Sequence, residues 1–140
     1  MAQRWLFKTE PGAYSFAQLE QDRRAAWDGV KNALALKHLA SIQSGDDVLV
    51  YHTGDEKAAV GVARVVRAPY PDPKAKDARL VVVDVVPVRP LPRPVTLAEM
   101  RATKTLAGFE LLRLPRLSVM PVSLTHWTEI LRLAGSKTSA

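Results

Sequence analysis

Lys8, Thr9 and Glu10 put a cation, a hydroxyl and a carboxylate side by side at the end of an apolar run. On residue type alone they are the polar end of a strand. Successive strand side chains alternate faces, which points Thr9 away from both Lys8 and Glu10 unless the strand breaks there. The chain has no cysteine, so disulfides, zinc ribbons and thiol nucleophiles are all excluded, as befits a reducing compartment. His38, His52 and His126 are the only histidines, and no two fall at the short spacing of a helical zinc site. Neither a metal nor a cofactor is expected. Trp27 stands before Asp28-Gly29, a turn signal, where it either lines a pocket or packs. Asp28 suits a turn cap and Asn32 a helix N-cap.

The chemistry left over is recognition of anions. Twenty Lys and Arg against 14 Asp and Glu give +6 over 140 residues, with a pI near 9.9, a balance that favours polyanionic partners. Arginines gather in the middle and C-terminal parts, and Arg64, Arg67 and Arg116 are the candidates for phosphate contact. An apolar fraction of 47% with 24% charged residues supports a packed core rather than disorder. No stretch approaches the roughly 20 apolar residues of a membrane span, and the start lacks a signal-peptide core. The expectation is one cytoplasmic, monomeric domain over residues 1–135 with no membrane partner, and a loose tail from Ser136.

The elements that must position these residues can be read from periodicity. Residues 4–8 form a first strand stopped by Pro11-Gly12. Ser15 caps a short helix ending near Asp22, and Leu34, Leu36, Leu39 and Ala40 trace one face of a second. "DVLVYHT", "AAVGVARVVRAPY" and "RLVVVDVVPVRP" are three long strands. Gly61 marks a bulge or a close backbone approach. The run Pro87 to Pro94 is expected to end the third strand and lead to Thr96, which caps a further helix. "PRLSVMPVS" is a brief extended return to the sheet. Ser123 caps a last helix, ended by Gly135, with Leu124, Trp127, Ile130 and Leu131 on its buried side. Trp5 reads as core. Long strands with short helices before and after them give an α+β domain with a curled sheet.

Five blocks in order, "WLFKTEP", "WDGVKN", "GDDVLVYHT", "YPD" and "RLSVMPV", resemble the EVE domain, a branch of the PUA-like superfamily related to YTH domains. The resemblance covers nearly the whole chain. It implies a mixed β pseudo-barrel flanked by short helices, with a pocket between the first strand, the "WDGVKN" loop and the "YHT" strand end. YTH domains hold methylated adenine in an aromatic cage, and some EVE domains bind modified cytosines in DNA. Carried onto this sequence, the pocket comprises Lys8, Thr9, Trp27, Asp28, Asn32, Tyr51, His52 and Thr53. Lys8 and Thr9 would meet the base edge, Trp27 would offer a ring face and Asn32 an amide. The chain departs from the family after Asn32, where Ala33, Leu34 and Leu36 replace an aromatic and an arginine.

A flipped base presents two π faces and a polar edge, so an aromatic wall with a few convergent donors and acceptors suits it. The reading from resemblance is therefore a module that holds a modified base in DNA or RNA. Two alternatives stay open. PUA-like relatives of the ASCH type include amidohydrolases that act on modified cytidines with a Lys, a Thr and an acid, types found at Lys8, Thr9 and Glu10. A non-selective RNA-binding domain would rely on the arginines alone.

Overall fold

The computed structural model describes residues 3–135, so the expected tail from Ser136 lies outside the described residues. Six strands form one sheet in the order β2-β5-β4-β3-β1-β6. They are β1 (Arg4–Thr9), β2 (Ala25–Trp27), β3 (Asp47–His52), β4 (Ala58–Pro71), β5 (Val81–Thr96) and β6 (Val119–Pro121). β1 runs parallel to β3 and the other pairings are antiparallel. The sheet is mixed and curls into a half-barrel, as the sequence implied.

Curling comes from β4 and β5, whose pairing shifts register four times. Three of the shifts add one residue to one strand, and the shift between Ala59 and Gly61 adds three to β5; such insertions increase the local twist. The prolines expected to end β5 lie inside it. Pro87 sits opposite Ala63 and Pro90 opposite Gly61, both at register shifts, and residues 91–94 oppose Val60 alone. β2 pairs only with Val83–Val85, so beyond Val85 the other edge of β5 needs no proline N–H. Gly61 shows both expected features: it adjoins a register shift, and a Cβ there would stand 2.5 Å from the Phe16 ring.

The helices α1 (Phe16–Asp22), α2 (Ala33–Ala40), α3 (Leu97–Arg101), α4 (Glu110–Arg113) and α5 (Leu124–Leu133) are short. Tertiary packing and caps must hold such lengths, which are marginal in isolation. The expected caps form. Ser15 Oγ accepts from Gln18 N–H, Asn32 Oδ1 from Ala35 N–H, Thr96 Oγ1 from Glu99 N–H and Ser123 Oγ from His126 N–H. Sequence periodicity did not disclose β2, α4 or the 3₁₀ turn Lys104–Leu106; each is four residues or fewer. Trp27, read as part of a turn, ends β2. Leu124, expected on the buried side of the last helix, stands at its first position and is exposed, and α2 buries Ala35 and Leu39 while Leu34 and Ala40, expected on its packed face, are exposed.

The core fills the concave face of the sheet and the space beneath its helices. It includes Trp5, Phe7, Trp27 and Trp127. Trp5 Nε1–H donates to Asp46 Oδ2 at 2.9 Å, and the same carboxylate accepts from the backbone of Gln3 and Gln43. That satisfies a carboxylate only 2% exposed.

Candidate nucleic-acid interface

The curl brings the edge strand β2 against the C-terminal half of β1, which lies next to the opposite edge of the sheet. Phe7 of β1 and Trp27 of β2 meet there with ring centroids 5.3 Å apart. A cleft of about 390 Å³ opens beside them, lined by Lys8, Thr9, Ala13, Tyr14, Trp27 and Asp28 together with Ala25 and Ala26. Its volume lies in the roughly 300–1,000 Å³ range of ligand pockets.

The register of β1 against β3 puts Lys8 beside Tyr51 and Thr9 beside His52, on opposite faces. Both still border the cleft because β1 ends at Thr9 and the cleft wraps around that end. Lys8 Nζ donates to the Pro115 carbonyl at 2.7 Å and stands 5.9 Å from the centre of the Tyr51 ring. Partial burial holds the ammonium below the usual lysine range. One of its three N–H groups serves Pro115 and two remain. Thr9 Oγ1–H donates to the Tyr14 carbonyl at 2.7 Å, which leaves the hydroxyl oxygen free to accept.

Tyr14 stands perpendicular to Trp27, at 86° and 6.1 Å between centroids. Its hydroxyl donates to Asp22 Oδ2 at 2.8 Å. Burial first, and then the Asp22 carboxylate, push the phenol up to about 12. Trp27 is 7% exposed, so it packs against Phe7 and also forms part of the cleft wall.

Of the eight residues proposed for the pocket, the cleft brings together Lys8, Thr9, Trp27 and Asp28. Asn32 lies in a different cavity, and its Oδ1 caps α2. Tyr51 and His52 are buried in β3. His52 Nε2 accepts the Phe16 N–H at 3.0 Å, which requires the ring proton on Nδ1, where it faces Glu56 at 2.7 Å. That histidine fixes the start of α1. Thr53 N–H donates to the Thr9 carbonyl and holds the strand ends together.

The arginines divide as well. Arg64 pairs with Asp47, which lies beside Arg4 at the far end of β1 from the cleft. Arg67 covers the Tyr70 ring at 3.6 Å. Tyr70 and Arg24 both donate to Asp84, which pairs with Ala26 and so backs the β2 wall of the cleft. Arg116 borders the cavity that holds Asn32. Sequence reasoning missed Tyr14, Ala13, Ala25 and Ala26. Tyr14 had a signal, an aromatic placed between a Pro-Gly turn and the Ser15 cap; the alanines had none. Among the described residues no group of three His, Asp or Glu stands together as a metal site, and no helix is long and apolar enough to cross a membrane.

A mixed half-barrel with short helices and a cleft at its seam is the PUA-like architecture. The EVE domain family matches residues 3–133, and the chain belongs to it. A protein of Rhodopseudomonas palustris, Rpa0253, is 36% identical with a TM-score of 0.90, covering 96% of this chain and 94% of that one. Thymocyte nuclear protein 1 of Mus musculus is 28% identical, over 96% of this chain and 75% of its own length. The human THYN1 protein in complex with 5-methylcytosine-containing DNA is 25% identical with a TM-score of 0.88, over 97% of this chain and 99% of that one.

Proposed function

We propose that this domain binds nucleic acid and takes one extruded, modified base into the cleft between β1 and β2. The observation that carries the reading is the cleft itself: two aromatic residues, two polar side chains with unused hydrogen-bonding capacity, and alanine walls, in a chain similar to a protein solved with 5-methylcytosine-containing DNA.

The donor and acceptor types suit cytosine. Its edge offers the N4 amine as donor and N3 and O2 as acceptors. The two free N–H groups of Lys8 serve the acceptors, and Thr9 Oγ1 or the Asp28 carboxylate takes the amine. A 5-methyl group would rest against Ala13, Ala25 or Ala26, and its burial contributes on the order of 1 kcal/mol. Discrimination from methylation alone is then about fivefold.

The geometry favours binding over hydrolysis. An amidohydrolase would need Lys8 to take the Thr9 proton, but that proton points to the Tyr14 carbonyl. Glu10 turns toward Gly12 and Gly54.

The test is fluorescence anisotropy with matched DNA and RNA oligonucleotides carrying cytosine, 5-methylcytosine, 5-hydroxymethylcytosine or N6-methyladenine. One modified strand is expected to bind best, and Lys8→Gln, which opens no cavity, to weaken it by about tenfold, the contribution of one charge-assisted hydrogen bond. Equal binding of every strand, unchanged in Lys8→Gln, would overturn the reading. Release of acid from acylated cytidine would revive the hydrolase.

A further inference from the structure

A second cavity, of about 330 Å³, is lined by Asn32, Leu34, Leu114, Pro115, Arg116 and Leu117. The two are joined through one hydrogen bond: Lys8 borders the base cleft, and its ammonium donates to the carbonyl of Pro115, which borders this one. Nearly all of the second lining is hydrocarbon. Leu34 is 42% exposed, because α2 turns Ala35 and Leu39 to the core and leaves Leu34 on the opposite side. An exposed leucine beside a cavity is costly to solvate and gains by being covered.

Arg116 stands at the rim of this shelf. Among the described residues the ion pairs occupy Arg24, Arg64, Arg79, Arg93, Arg113 and Arg132, and Arg116 is in none of them. An apolar floor with a free guanidinium at its edge matches a nucleotide, whose base is flat and poorly hydrated on its faces and whose phosphate is anionic.

We infer that this cavity is a subsite for the nucleotide adjoining the extruded base. The neighbouring base lies on Leu34, Leu114 and Leu117, and its phosphate meets Arg116. The inference rests on the function proposed above and adds where the strand leaves the base cleft: past Lys8 and Pro115, toward the start of α2.

The test compares the best modified nucleoside with the trinucleotide that has it at the centre, titrated against wild type, Leu34→Asp and Arg116→Glu. Both substitutions are at exposed positions, and thermal melting checks that each variant folds. Wild type is expected to bind the trinucleotide at least about fivefold more tightly than the nucleoside, on the order of what covering the exposed hydrocarbon of one leucine contributes. Each variant should lose that gain and keep its nucleoside affinity within about twofold. If Lys8→Gln weakens both ligands while Leu34→Asp and Arg116→Glu bind the trinucleotide as wild type does, the base cleft stands and the subsite is overturned. A wild type that binds neither ligand, or both equally, overturns the subsite as well.

Discussion

Tyr14 links the cleft to the pH response of the fold. Its phenol is lifted from 10.0 to about 12 by burial and by the Asp22 carboxylate. The folded state therefore keeps a proton that the unfolded chain gives up near 10. The unfolded state binds fewer protons between the two values, so stability falls as pH rises through that window. Below about 10 the contribution is fully present. Tyr51 and Tyr70 are shifted in the same direction, so the difference between wild type and Tyr14→Phe isolates this residue. The variant is expected to lose less stability than wild type between pH 10 and 12 in alkaline chemical denaturation. Parallel curves would show that Tyr14 does not hold its proton in this way. Lys8 behaves oppositely: burial lowers its pKa, so its ammonium, and any affinity it carries, is lost at a lower pH than for an exposed lysine.

Two strands and one helix start are locked together around Gly61. β4 passes so close to α1 that the Phe16 ring occupies the space a side chain would need, while the Phe16 N–H is held by His52 of β3. Gly61→Ala is expected to cost about 1–3 kcal/mol, as overpacking of a filled core does, measured by urea denaturation. Phe16→Leu should recover part of the loss in the double variant, because the pair is in contact. Full additivity of the two changes would mean that the close approach is not what limits position 61. The same elements explain the prolines of β5. They read as a strand terminator in isolation, but a strand that has lost one neighbour and bulges against the other has several N–H positions to spare.

Over the whole molecule, the excess of +6 is not equally available. Six arginines are tied to carboxylates. Lys31 and Lys74 line a cavity that shares Asp28 with the cleft, and Arg116 lines the apolar shelf reached through the Lys8–Pro115 hydrogen bond. None of these three is in an ion pair among the described residues. If they are the phosphate contacts, the logarithm of single-strand affinity should fall against that of salt concentration with a slope of about −2, three contacts at roughly 0.7 each. Arg116→Glu should flatten it, whereas Arg64→Gln, at the far end of β1, should leave it unchanged. A steeper slope that responds to Arg64 would place the strand on another face.

The sequence by itself determined the elements with their own local signals: four side-chain caps, the long β-branched strands, the core role of Trp5 and Trp127, and the five blocks that point to the family. These depend on neighbours in the chain, through hydrogen bonds to the nearest amides and through the period of apolar residues. Which polar residues share a site was decided only by the tertiary structure. Lys8 and Tyr14 come to Trp27 because register shifts curl the sheet until β1 and β2 meet, and no local pattern encodes that closure. Asn32, Tyr51 and His52 had the chemistry for a base pocket, but the fold commits them to a helix cap, the core and the Phe16 amide. A side chain's type states what it can bond; only the assembled sheet decides which bonds are left for a ligand.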